Sequence, residues 1–195
     1  MPVLNPEALT DTLVRNIRKM HEDSNVPRAE LDLSGGIDSA VMLGLLTLAV
    51  GPDRVTTAFL GITSNPDAMS RAQGLANALG VKFINFDGTE LFDLYVNKAK
   101  EAMVVAGYSI TEINAGITAD STILGSIRST LRAPWGRGFN RLAGGGIRHG
   151  TGNECEDRWL RFYQKGGDGE VDTNPISMLS KGEVYQLARY LGKCL

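Results

Sequence analysis

The sequence predicts an α/β fold, a doubly wound parallel sheet flanked by helices. Three observations carry that expectation. Short apolar runs alternate with segments whose apolar residues recur at helical spacing, the pattern of repeated strand–helix units. The joints between them hold glycine, proline, asparagine and aspartate, residues that turn a chain. No internal repeat, linker or low-complexity tract interrupts the alternation.

The first helix opens at Asn5-Pro6, with asparagine as its cap and proline at its first position. Leu9, Leu13, Ile17 and Met20 continue it to about residue 23, and Pro27 ends the unit. Residues 29–33 read as a short strand, and an apolar helix follows from Ile37 to about Val50. Gly51-Pro52-Asp53 turns the chain into a second strand, Val55 to Ile62. A helix over 66–79 buries Ala68, Ala72, Leu75, Ala76 and Leu79, and Gly80 caps it. Val81 to Phe86 is a third strand, and residues 89–106 are helical. A helix over 120–132 ends near Pro134, and Gly144-Gly145-Gly146 precedes a strand at 146–150. The stretch 152–174 is rich in loop, with a turn of helix at 156–163, and Lys181 to Leu191 is an amphipathic helix closed near Gly192.

Composition narrows the functional classes. With 195 residues, 43% hydrophobic and 22% charged, the chain suits one domain with a core of its own. A formal net charge of −2 gives no overall pull toward nucleic acid or membrane. The longest apolar stretch, Ala40 to Val50, is too short for a bilayer core of ~30 Å. The N-terminus lacks the pattern of a signal peptide. Cys155 and Cys194 show no C-x-x-C spacing, and His21 with His149 are too few for a His-rich metal site. A reduced, cytoplasmic setting is expected, with neither nucleic acid nor membrane as a partner.

The joint between the first strand and its helix reads Ser34-Gly35-Gly36-Ile37-Asp38-Ser39. Glycines let the backbone come close to an anion. The open N–H groups of the helix start then point at that anion, and the macrodipole adds attraction. The hydroxyls of Ser34 and Ser39 can donate to phosphate oxygens. Asp38, in the first helical turn, is placed to hold Mg²⁺ against the phosphates. Neither the Walker A pattern nor the Rossmann G-x-G-x-x-G is present. A plain glycine-rich turn would not need two serines and an aspartate as well.

On those residues the loop resembles the S-G-G-x-D-S signature of the PP-loop ATP pyrophosphatases, of the adenine nucleotide alpha hydrolase-like fold. That superfamily includes NAD, GMP and asparagine synthetases and several tRNA-modifying enzymes. The resemblance implies cleavage of ATP between its α and β phosphates, and it does not choose the acceptor.

The second half of the chain does. Residues 150–172 read G-T-G-N-E-C-E-D-R-W-L-R-F-Y-Q-K-G-G-D-G-E-V-D, followed by Asn174-Pro175 and by Lys181 at a helix start. This is similar to the block of ammonia-dependent NAD synthetases, T-G-N-x-x-E, then K-[YF]-G-D-G-x-x-D, then N-P and a lysine. The resemblance implies that Thr151 contacts ATP, that Lys181 reaches its phosphates and that Glu156 joins Asp38 around Mg²⁺. It implies that Lys165 and Asp172 bind deamido-NAD, Asp172 also orienting the ammonia or nicotinate. The catalytic set would be Asp38, Lys181 and Asp172, the substrates ATP, deamido-NAD and ammonia, and the assembly a homodimer. Only about 33 residues precede the loop, too few for a glutaminase domain, so ammonia arrives free or from another protein. Relatives continue past the last helix with a segment that helps cover the site, so 1–195 is expected as one synthetase domain without it.

Three departures from the family pattern are visible. Counting from Thr151 selects Glu156 as the metal carboxylate, whereas counting back from Lys165 selects Asp157, because one extra residue lies between them. Cys155 sits between Glu154 and Glu156, in a reaction that needs no nucleophilic thiol. Thr130 stands where relatives carry the first arginine of an R-x-R that contacts the dinucleotide. Arg128 and Arg132, four apart and so on one helix face, are the candidates to compensate.

Two further features come from the residues alone. From Ser121 to Asn153 there is no acid but five arginines, Arg128, Arg132, Arg137, Arg141 and Arg148. Either this field docks the dinucleotide pyrophosphate, or it is a solvated or subunit-bridging face. Trp135 and Phe139 within it either stack on a base or pack in the core. Asp32 falls in a strand that should be buried, where a lone carboxylate is costly without a partner. It is expected to bond a neighbouring backbone group or an arginine, or to help organise the nucleotide site. Two rival functions remain: a tRNA-modifying enzyme that uses the arginines on RNA, and a nucleotide-binding subunit without turnover.

Overall fold

A computed structural model describes residues 5–160 and 164–194. Four parallel strands stand in the order β3-β2-β1-β4. They are β1 (Ala29–Asp32), β2 (Val55–Gly61), β3 (Lys82–Asp87) and β4 (Ile147–His149). Seven α-helices cover them among the described residues: α1 (Pro6–Ser24), α2 (Ile37–Val50), α3 (Pro66–Ala78), α4 (Thr89–Val105), α5 (Ile110–Ala119), α6 (Thr122–Leu142) and α7 (Lys181–Cys194). From β1 the chain winds outward through α2 to β2 and through α3 to β3, then returns through α4–α6 to place β4 on the far side of β1. The direction of winding therefore reverses at β1. In such sheets, ligands bind outside the carboxyl ends of the strands at that reversal.

The pleat sorts the sheet residues. Ala29, Leu31 and Leu33 face the main core with Met42, Leu45 and Leu46 of α2. Ile17 of α1 and Val184, Leu187 and Leu191 of α7 close that core from outside. α2 is apolar nearly all round because it is covered on every side. Glu30 and Asp32 alternate with these residues and so face α6, as does Arg148, which pairs in register with Glu30.

Most elements match the sequence reading within a residue or two, and Asn5 does cap α1 by accepting from the Ala8 N–H at 3.1 Å. Three expectations change. α6 runs through Pro134 to Leu142. A proline deletes one helical hydrogen bond, but the turns beyond it are held from outside, with Trp135 and Phe139 each packing edge-on against Phe86 at 5.2 Å between ring centroids. α5 forms where the sequence pattern assigns no element, capped by Ser109, which accepts from the Glu112 N–H. The last helix continues past Gly192 to Cys194. Of the turn expected at 156–163, Cys155–Leu160 forms a π-helical turn, and residues 161–163 lie outside the described residues.

Candidate functional site

The loop after β1 is shaped by close packing. Gly35 takes φ +75°, and a Cβ there would strike the Ala68 carbonyl of α3. Only glycine meets both demands. The loop is braced by Arg71, whose Nε donates to the Gly35 carbonyl at 3.1 Å. Ser39 Oγ donates to the Gly36 carbonyl at 3.0 Å and lies 3.1 Å from Ser34 Oγ. Gly36 caps α2 without any side-chain hydrogen bond, so the first-turn N–H groups stay open toward an anion.

Asp38 stands in that first turn, and segments distant in sequence converge on it. Its Oδ2 accepts from Lys181 Nζ at 2.5 Å, and the same ammonium donates to Glu156 Oε1 at 3.0 Å. Its Oδ1 accepts from Asn153 Nδ2 at 3.0 Å. Asn153 is fully buried, and its Oδ1 takes the N–H groups of Cys155 and Glu156 at 3.1 and 3.2 Å. One asparagine thus fixes the turn that carries Glu156 and the carboxylate it faces. Lys181 is set by a capping box, in which Glu183 Oε2 accepts from both the N–H and the hydroxyl of Ser180. Partial burial works against the Lys181 ammonium, but hydrogen bonds to Asp38 and Glu156 outweigh it and raise its pKa. Asp157 turns away, accepting from Asn174 Nδ2 at 2.9 Å. Burial and the charges of Glu156 and Asp168 push its carboxyl above the ordinary value.

Two carboxylates aimed at one point suit a hard divalent cation. Mg²⁺ typically takes one or two protein carboxylates and completes its shell with phosphate and water. Among the described residues no group of three or more His, Cys, Asp or Glu is set for a metal.

A cavity of about 580 Å³ opens beside the loop, bounded by Asp32, Ser34, the end of β2 and α6. Thr63, at its edge, takes φ +48° and donates its N–H to Thr89 Oγ1, a backbone state that non-glycine residues seldom hold without support. A second cavity of about 370 Å³ is lined by Glu156, Asp157 and Asn174 and shares Thr151 and Asp168 with the first.

The expected site residues divide accordingly. Ser34, Thr151, Arg128 and Arg132 line the larger cavity. Thr130 does not: Gly125, Arg128, Ser129 and Arg132 form the cavity face of α6, and Thr130 is exposed off that face. Lys165 is exposed and lines neither cavity. Asp172 turns to the sheet, its Oδ2 accepting from the Arg148 N–H at 2.9 Å.

The arginine stretch is not one surface. Arg148 is 3% exposed and clamps Glu30 and Asp32, so Asp32 has the arginine partner expected of it. Arg137 pairs with Glu170 at 2.8 Å, Arg132 donates to the Leu60 carbonyl, and Arg128 lies over the Phe92 ring. Trp135 and Phe139 are packing residues. The sequence reading missed Asn153, Asp168 and Glu30. The first two lie inside the motifs already quoted, and Glu30 is two residues before Asp32 and so on its face.

Comparison with known proteins finds relatives in both sequence and fold. The family model described as NAD synthase matches residues 8–194. The NH3-dependent NAD+ synthetase of Carboxydothermus hydrogenoformans is 32% identical over 97% of this chain and 72% of its own length. That of Archaeoglobus fulgidus is 32% identical over 97% of this chain and 70% of its own. Among solved structures, the NH3-dependent NAD synthetase of Campylobacter jejuni superposes with a TM-score of 0.81 at 22% identity, over 97% of this chain and 75% of that one. The NMN synthetase of Francisella tularensis gives 0.83 at 22% identity, over 97% of this chain and 72% of that one. At these identities the two structures speak for the fold.

Proposed function

The chain belongs to the NAD synthase family, and from that premise we infer that it amidates deamido-NAD with ammonia at the expense of ATP. The observation that carries the reading is the convergence of Asp38, Glu156 and Lys181 at the mouth of the Ser34–Ser39 loop, beside a cavity of about 580 Å³.

The loop N–H groups and the Ser34 hydroxyl hold the β and γ phosphates, while Ser39, buried with its hydroxyl on the Gly36 carbonyl, braces the loop. A nicotinate carboxylate oxygen of deamido-NAD attacks the α-phosphorus, and pyrophosphate leaves into the loop. Lys181 donates toward the charge that develops on the departing oxygens. Asp38 and Glu156 would hold Mg²⁺, which would supply further neutralisation of the phosphates. Ammonia then adds to the acyl carbon of the adenylate, AMP departs with the bonding pair, and a proton is released to give NAD. Positioning and charge neutralisation are what such transfers need from a protein. Arg128 and Arg132 face the cavity and are assigned to the substrates, with Thr151 at the nucleotide. The exposed positions of Thr130 and Lys165 and the bonded carboxylate of Asp172 favour weaker roles for those three.

The described residues are assigned to one synthetase domain, since α7 shares the core of α1 and α2. We assign it to the cytoplasm. No helix among the described residues is long and apolar enough to cross a membrane, and Cys155 and Cys194 are free thiols. A homodimer is supported by α4 and α5, which expose Leu94, Tyr95, Val105 and Ile110 and bury only Phe92 between them.

Incubation with ATP, Mg²⁺, ammonium and deamido-NAD should give NAD, AMP and pyrophosphate in equal amounts, and Asp38→Ala should abolish exchange of labelled pyrophosphate into ATP. Nicotinate mononucleotide, offered in parallel, tests the acceptor, and turnover of that compound alone would overturn the dinucleotide assignment. ATP binding without AMP formation under any acceptor would mark a subunit without turnover.

A further inference from the structure

We propose that Asp32 is a specificity-determining residue for the nucleotide, accepting a hydrogen bond from an N–H or O–H of the bound nucleoside. This rests on the reading that the larger cavity receives ATP.

Asp32 ends β1, two residues before Ser34, and a buried frame holds its side chain. Arg148 commits all three guanidinium nitrogens: Nε to the Glu170 carbonyl at 3.0 Å, Nη1 to Glu30 at 2.9 and 3.0 Å, and Nη2 to Asp32 Oδ2 at 2.5 Å. Gly136 of α6 leaves room for that guanidinium, because a Cβ there would strike Nη1. The two carboxylates differ in access. The Glu30 side chain is 1% exposed, whereas that of Asp32 keeps 35% of its surface open and lines the cavity.

An ionised carboxylate only accepts, and its two oxygens offer about four sites. Arg148 fills one of those on Oδ2, and Oδ1 is buried, so the acceptor site within reach of a ligand is the second one on Oδ2. Ser34, Arg128, Ser129, Arg132 and Thr151 around it can all donate, and Asp168 is the other carboxylate on the lining. A triphosphate is drawn to the loop end and repelled from Asp32. In an extended strand two residues span ~6.6 Å, so phosphates at Ser34 bring the nucleoside over Asp32. The donors it presents there are the 6-amino group of adenine and the ribose hydroxyls. A fixed carboxylate rejects an analogue that lacks the matching donor, because the bound nucleoside then excludes water from the second site on Oδ2 and puts nothing in its place.

Calorimetric titration of the full chain with ATP, purine riboside triphosphate, 2′-deoxy-ATP and 3′-deoxy-ATP, each with Mg²⁺, separates the three donors. Wild type should lose about ten-fold or more in affinity for one analogue, as expected for a hydrogen bond to a charged group. Asp32→Asn keeps an oxygen for Arg148 and should bind that analogue and ATP within about two-fold of each other. Asp32→Ala leaves Arg148 its bonds to Glu30 and the Glu170 carbonyl and gives the same reading if Asp32→Asn does not fold. Equal wild-type affinity for all four nucleotides overturns the proposal, as does wild-type discrimination persisting in the variants. Analogue discrimination without any NAD formation would overturn the proposed function and leave the role of Asp32 standing, whereas failure to bind any nucleotide would overturn both.

Discussion

Lys181 occupies the point at which two carboxylates meet, and under the proposed function that position would make it both a catalytic group and a competitor for a cation. With no nucleotide bound, its ammonium satisfies Asp38 and Glu156 directly. When phosphates arrive they offer the ammonium another partner, and the carboxylate oxygens become available to Mg²⁺. Lys181→Met removes the competitor and the donor together. Mg²⁺ should then bind the nucleotide-free protein more tightly, while kcat falls about 10²-fold, the usual cost of losing one donor to transition-state charge. Calorimetric Mg²⁺ titration and steady-state kinetics read the two effects separately. Unchanged Mg²⁺ affinity would mean that the lysine does not guard the cation site.

At the scale of elements, the strand–loop–helix at 29–50 is legible in the sequence because its signals are local. Apolar pattern, glycines and a first-turn aspartate all lie within a few residues of one another. The run of α6 past Pro134 is not legible, since it depends on Phe86 packing from across the fold. The choice between Glu156 and Asp157 is open in the sequence for the same reason: it turns on which carboxylate reaches Lys181, and only tertiary placement brings Glu156 there. The frame of Asp32 needed the register of β1 against β4, which no local pattern encodes. α4 and α5 pose the opposite case, a pair of helices whose apolar residues find too few partners within the chain. Tyr95 and Met103, eight residues apart on one face of α4, line a groove of about 310 Å³ with Ile113 of α5 and Ile123 of α6. In the proposed homodimer a second copy would cover this apolar surface. Sedimentation analysis should find a dimer, and Tyr95→Glu with Met103→Glu should give a folded monomer. A wild-type chain that sediments as a monomer would remove the dimer from the account.

For the whole molecule, two buried groups on opposite faces of the sheet set opposite limits on stability against pH. Burial, with the charge of Asp32 adding and Arg148 opposing, pushes the Glu30 carboxyl from an ordinary 4.5 up to about 8. Burial and the neighbouring His21 pull His149 from 6.5 down to about 3, and its ring nitrogen Nε2 lies 3.1 Å from that of His21. Above pH 6.5 the unfolded chain has lost the Glu30 proton while the folded chain retains it, so stability falls as pH rises to about 8. Below pH 4.5 the unfolded chain protonates His149 while the folded chain does not, so stability falls as pH drops toward 3. Between those limits each state holds one of the two protons, and the slopes cancel. Each limb is worth up to about 1.4 kcal/mol per pH unit, so the alkaline limb amounts to about 2 kcal/mol in all. Urea denaturation across this range should therefore give a plateau with a fall on either side. Glu30→Gln keeps the shape of the neutral acid and cannot ionise, so it should level the alkaline limb and, with nothing left to cancel His149, start the acid fall at pH 6.5 instead of 4.5. An alkaline fall that survives Glu30→Gln would assign that limb to another group.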